Sequence, residues 1–268
     1  MNIIKERLAL NSFQLKILGI MLMVFDHVHQ FFVTDGAPLW FTWLGRIVAP
    51  IFLFTLAEGV HYTRSKLKYL LHLYVGYLLI LFMSHLISYF MPSDMVLINN
   101  IFGTLFLSGL YIVLIDRFIA AVKIRKWKTM ISSFLLMLVP IIWSLFTLLL
   151  LMQEEVSRTG LYINSLFPSL VAVEGGFIYV LLGIVFYYLR KYRIAQIASL
   201  VALSVLVGFA SPEPMTNLDQ NFQWLMVIAA IPIYLYNGQK GKNMKYFFYI
   251  FYPVHIYFLY ILAYVWNS

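Results

Sequence analysis

The chain has 268 residues, of which 62% are hydrophobic, 18% aromatic and only 11% charged, with no cysteine and a net charge of +8. That much apolar surface excludes a water-soluble globular fold, and the lack of thiols excludes disulfides and cysteine-held metals. A mean hydropathy of +0.85 places the chain in lipid, where backbone N–H and C=O groups must pair internally, so each crossing is a helix of about 20 residues.

Apolar runs between polar breaks predict nine spans in chain order: 14–33, 38–62, 69–91, 97–119, 129–151, 168–189, 194–210, 221–237 and 245–266. The first run carries Asp26 and His27 where a cleavable leader would have small residues, so it reads as a retained helix. Lys5, Arg7 and Lys16 flank its start. Arg64, Lys66 and Lys68 follow the second span; Arg117, Lys123, Arg125, Lys126 and Lys128 the fourth; Arg190, Lys191 and Arg193 the sixth; Lys240, Lys242 and Lys245 the eighth. The alternate connections hold Asp35, Asp94, Glu154 with Glu155, and Glu213 with Asp219, against one cation, Arg158. Lys and Arg resist translocation, so this alternation predicts a cytoplasmic amino terminus and an outside carboxyl terminus. The expected fold is an all-α polytopic bundle of about nine transmembrane helices, one integral membrane domain over residues 1–268. The cations are divided among short loops, which argues against nucleic acid as a partner and for anionic lipid. The 152–167 connection reads either as a plain loop or as a short segment folded back.

An ionisable group deep in a span costs a few kcal/mol and is a site hypothesis by default. Those present are Asp26, His27 and His29 in the first span, Arg46 and Glu58 in the second, His85 in the third, Glu174 in the sixth and His255 in the ninth. At about 1.5 Å per residue, Asp26 lies about 18 Å from the cytoplasmic end and Arg46 about 12 Å below the outer surface. In a core about 30 Å thick these are one level, so the two are expected to pair beside His27. His255 falls near mid-membrane and Glu174 in the outer half, so four helices are expected to build one polar cluster. His27 and His29 face different sides of their helix, so at most one points fully into it. Glu58, His61 and Arg64 approach the cytoplasmic mouth. No HxxxH or HExxH spacing occurs, so no metal is expected. Nucleotide and lipase motifs are absent too.

The run LKILGIMLMVFDHVHQFF followed by GRIVAPIFLFTLAEGVHYTRSKLKYLLHL resembles the TraX family of bacterial membrane acetyltransferases. The shared residues are Asp26 and His27; Gly45 and Arg46; Pro50, Ile51 and Phe52; Glu58 and Gly59; Thr63 and Arg64; Lys68 and Tyr69; and, near the end, Tyr252, Pro253 and His255. The resemblance is close over 14–75 and 245–260; between them, Glu174 with Gly175 stands for the family's acidic residue before glycine.

That resemblance implies acetyl transfer from cytosolic acetyl-CoA to an amine or hydroxyl acceptor outside: an envelope glycan, glycolipid or secreted polypeptide. It makes His27 the candidate general base, with Asp26 or Glu174 to orient it, Arg46 to pair or to stabilise an oxyanion, and His255 as a second base or acceptor-side hydrogen bond. Glu58, His61, Arg64, Lys66 and Lys68 are the candidate coenzyme A residues, since phosphates call for a cationic mouth. The rival reading is a transporter or flippase, because buried Asp, Glu, His and Arg mark proton and substrate pathways equally well.

Overall fold

A computed structural model describes residues 8–93, 95, 97, 100–153 and 157–267, with backbone only at Arg158, Lys245 and Tyr246. Lys5, Arg7, Asp94, Glu154 and Glu155, which enter the charge pattern, lie outside the described residues. The described chain is all helical, apart from a single bridge between Leu10 and Tyr236. The helices are α1 (Ser12–Phe32), α2 (Trp40–Gly45), α3 (Val48–Tyr62), α4 (Lys66–Phe90), α5 (Ile101–Lys123), α6 (Trp127–Leu151), α7 (Arg158–Ser165), α8 (Gly176–Tyr188), α9 (Arg193–Ala210), a 3₁₀ segment (Gln223–Ala229), α10 (Ala230–Tyr234) and α11 (Lys245–Trp266).

Seven stretches are long and apolar enough to cross a membrane, counting α2 with α3 as one; the expected sixth and eighth spans are shorter apolar helices, Gly176–Tyr188 and Gln223–Tyr234. The sixth is shortened because residues 168–175 form a turn whose exit runs through Gly175 and Gly176, both at positive φ. The protein is thus a multi-pass membrane protein. Its most apolar span, Trp127–Leu151, has 17% of its residues buried, whereas Trp40–Tyr62, of lower hydropathy, has 67%. The span with the least burial is the most apolar, as lipid as solvent demands, and the span with the most burial is the one that carries Arg46 and Glu58.

The chain forms two compact units. The first comprises Met1–Thr55, Ile87–Leu97 and Tyr188–Ser268. In it α1 packs on α2 and α11, and α9 packs on the 3₁₀ segment and α10. The start of α1 shows how sequence sets an element. Asn11 and Gln14 form a capping box, Asn11 Oδ1 accepting from Gln14 N at 3.0 Å and Gln14 Oε1 accepting from Asn11 N at 2.9 Å. The two remaining first-turn donors are met from the far end of the chain: Ser12 N donates to the Gln239 carbonyl at 2.8 Å and Phe13 N to the Lys240 carbonyl at 3.2 Å. Leu10 and Asn237 extend this clasp. Gly241 (φ 69°) completes it, because a Cβ there would meet the Asn11 amide. Asn11→Ala is expected to cost about 1 kcal/mol of stability. Gly241→Ala should cost more, through the clash and the left-handed φ. Thermal unfolding in detergent measures both; an unchanged midpoint for Gly241→Ala would show that the clasp is not tight.

The α2–α3 break has a local cause. Arg46 Nε donates to the Thr42 carbonyl at 3.1 Å, the oxygen that the Arg46 backbone N–H would take in a regular helix. Arg46 N turns instead to Trp43 O and Ile47 N to Leu44 O, a tightened turn four residues before Pro50, which has no N–H for the Arg46 carbonyl, so the run expected as one helix is interrupted here.

The second unit comprises Leu56–Leu86 and Ile98–Tyr187. There α5 packs on α6, and Leu107, Val173 and Val180 form a core with Phe106, Tyr111 and Phe167 around it. The 152–167 connection contains α7, which folds back on α6: Asn164 Nδ2 donates to Thr147 Oγ1 at 3.1 Å, and Trp143 Nε1 to the Phe167 carbonyl at 3.0 Å.

Candidate active site

Of the expected polar residues, Asp26, His27, Arg46 and His255 all belong to the first unit. Their side chains form two adjoining arrangements, set by neighbouring positions on α1.

The first is an ion pair. Arg46 Nη2 lies 3.1 Å from both carboxylate oxygens of Asp26, and Thr42 Oγ1 donates to Oδ1 at 2.8 Å. Arg46 Nη1 donates to Gln223 Oε1 at 3.0 Å, and the guanidinium stands 5.6 Å from the Phe222 ring. One arginine therefore ties α1, α2 and the 3₁₀ segment together. Gly45 makes the approach possible, since a Cβ there would fall on the Asp26 carboxylate itself. The Gly-Arg pair read from sequence is thus one device: glycine admits the carboxylate and arginine neutralises it.

The second arrangement is a histidine relay. His27 and His255 are both buried, and His27 Nδ1 is 2.8 Å from His255 Nε2. His255 Nδ1 is 2.8 Å from the Phe251 carbonyl. A carbonyl only accepts, so His255 Nδ1 carries the hydrogen and, in the neutral ring, Nε2 is a lone pair. His27 Nδ1 must then donate to it, which leaves His27 Nε2 as the unprotonated nitrogen. Pro253, inside α11, has no N–H for the Tyr249 carbonyl; it loosens the turn from which the His255 ring reaches back. Tyr252 presents an edge to both rings, with centroids 6.4 Å from His27 and 5.8 Å from His255. The Tyr-Pro-x-His motif is therefore the socket for His27. His29, the other histidine on α1, turns to the Ala37 carbonyl at 3.1 Å.

The other expected site residues lie in the second unit. Glu174 is exposed in the turn before α8, its backbone carbonyl accepting from Thr104 Oγ1 at 2.7 Å. Glu58 is buried on α3, and His61 and Arg64 are exposed at and beyond its end. Lys68 is exposed on α4. Lys66 is held by Asp116 Oδ2 at 2.6 Å, an oxygen that also accepts from Tyr187 Oη at 2.6 Å.

Sequence reasoning missed Asp116, Tyr187, Thr42 and Gln223. A lone carboxylate beside Arg117 and among the cations after the fourth span was the available signal for Asp116. Gln223 had none, because its partner is 177 positions away.

An all-helical multi-pass membrane protein with an arginine-braced carboxylate and a buried histidine pair is the class this geometry defines. The TraX protein family model matches residues 12–263, so the chain belongs to the TraX family of bacterial membrane proteins. It is also similar to a probable fimbrial assembly protein FimC, serogroup H1, of Dichelobacter nodosus, with 25% identity over 258 residues, 92% of this chain and 93% of the relative. No solved structure matches the chain.

Proposed function

We propose that this protein is a membrane acetyltransferase that takes the acetyl group of cytosolic acetyl-CoA and delivers it to an amine or hydroxyl acceptor outside the cell. The observation that carries the reading is the histidine pair, whose hydrogen bonds leave Nε2 as the unprotonated nitrogen of the buried His27. Such a nitrogen suits a general base, because acyl transfer needs a proton removed from the acceptor as it attacks. His27 takes that proton while the acceptor nitrogen or oxygen bonds to the acetyl carbonyl carbon. The carbon–sulfur bond breaks, and His27 returns the proton to the departing thiolate. His255 acts through His27 as a positioning residue. Asp26 and Arg46 hold α1 in register, since the guanidinium is already engaged through all three of its nitrogens.

The exposed Arg64 and Lys68 suit the coenzyme's phosphates, with Lys66 committed to Asp116. The orientation rests on the alternation of basic and acidic connections, with the start of α1 in the cytoplasm. A relative described as a fimbrial assembly protein supports a secreted polypeptide among the acceptor classes. The test is to incubate the purified protein with acetyl-CoA and follow release of free thiol, then compare acetylated envelope components between cells with and without the protein. Slow thioester loss together with a missing acetylated component is expected. Absence of both coenzyme binding and thiol release would overturn the reading in favour of a carrier.

A further inference from the structure

Where α1 and α11 end, the first unit holds a groove of about 500 Å³ that lies apart from the histidine pair. The two helices run in the same direction here, since His27 meets His255 and, about one turn further on, Phe31 meets Tyr260. Their last turns form two walls of the groove: Val28 and Phe32, four positions apart on α1, and Leu262 and Trp266, four apart on α11. Each wall is therefore one turn, about 6 Å, tall. Phe41 of α2 adds a third side, and the turn that follows α1 brings Asp35 to the end of the groove beyond the helix. Backbone bonds hold that turn: Asp35 N and Ala37 N both donate to the Phe32 carbonyl, at 3.1 and 3.0 Å. Gly36, at φ 89°, also lines the groove, and a Cβ there would meet nothing within 4 Å, so this end stands open.

The groove is apolar except at that end, and its one charge is negative: none of the chain's 19 lysines and arginines lines it. Among the described residues no cation stands within ion-pair distance of Asp35. Its α11 wall adjoins the stripe of Val254, Phe258, Ile261 and Val265, all exposed at i, i+4, i+7 and i+11, which in a membrane helix is the face turned to lipid. Trp266 ends that helix at the level where tryptophan meets lipid headgroups. We propose that the groove binds a phospholipid with a primary-amine headgroup. The upper part of the lipid chains lies between the two apolar walls, and the ammonium donates hydrogen bonds to the Asp35 carboxylate. An anionic headgroup would meet Asp35 as a like charge, and a quaternary amine has no N–H to give it. The volume falls within the range of about 300–1,000 Å³ usual for small-ligand sites. Continuity with the lipid-facing stripe favours a lipid over a soluble peptide. This site goes beyond acetyl transfer and does not rest on it.

The test supplies the full chain, purified in detergent, with equal amounts of phosphatidylethanolamine, phosphatidylcholine and phosphatidylglycerol, and reads the retained lipid by native mass spectrometry. Wild-type protein is expected to hold phosphatidylethanolamine over each of the others by about tenfold or more, the worth of one charge-assisted hydrogen bond. Asp35→Asn, which keeps the shape of the side chain, should bring phosphatidylethanolamine down to the level of phosphatidylcholine, and Asp35→Glu should keep the preference. Asp219→Asn, at an exposed carboxylate of the same unit outside the groove, should leave it unchanged. Leu262→Trp fills the groove from an exposed position and should lower phosphatidylethanolamine retention as strongly as Asp35→Asn. If Leu262→Trp does not fold, Asp35→Asn decides alone. No preference in wild type, a preference for phosphatidylglycerol, or either variant holding phosphatidylethanolamine as wild type does would overturn the site. Displacement of the lipid by a water-soluble peptide with a free amino terminus would give the groove to a polypeptide and overturn it equally.

Discussion

His27→Ala is expected to lower acetyl transfer by about 10²- to 10⁴-fold, the usual contribution of a positioned base, with folded yield preserved. His255→Phe should lose less. It keeps an aromatic ring in the socket but offers His27 Nδ1 no acceptor, so the His27 proton is free to sit on either nitrogen. Its signature is therefore a changed pH profile of transfer along with a lower rate. A structural role alone would reduce yield and leave the profile of the surviving protein intact. His29→Ala should leave transfer nearly unchanged, because that ring is bonded to the Ala37 carbonyl and takes no part in the relay. Full activity in His27→Ala would remove the base from the mechanism and return the choice to His255.

The second large effect is on stability. Asp26→Ala strands the Arg46 guanidinium, and Arg46→Ala strands the carboxylate. Breaking one side of a fully buried pair costs about 3–5 kcal/mol. Here the Arg46 and Asp26 side chains keep 25% and 20% of their surface exposed, so about 2–4 kcal/mol is expected. Gly45→Ala should approach the same loss without touching either charge, because its methyl group occupies the space of the carboxylate. Thermal unfolding of the three single variants and of the Asp26→Ala/Arg46→Ala double variant measures this. The double variant should be more stable than the sum of the singles implies, since neither charge is left alone. Strict additivity would mean that the bridge contributes nothing to the fold.

The polar cluster of the first unit is partly legible in the amino-acid sequence. Depth counting along two spans puts Asp26 and Arg46 at one level, and charge neutralisation in lipid requires a partner for each. His27 and His255 both stand out as costly groups. Their contact does not, because 228 residues separate them and nothing in either helix reports which face meets which. The roles open to His255 also turn on a local detail: the Phe251 carbonyl fixes which of its nitrogens holds the proton.

The membrane class, the helical architecture, the approximate spans and the side chains too costly to be in lipid without a reason are all legible in the order of residues alone. Those follow from local quantities: hydropathy over about 20 residues and the cost of an unpaired charge. Long-range packing settles the rest: that Arg46 reaches Asp26, that Asp116 claims Lys66, and that a loop some 230 residues away lays the Lys240 backbone against the start of α1. Each is a contact between distant segments, and lipid, which rewards any arrangement that hides polar groups, does not specify which partners hide them together.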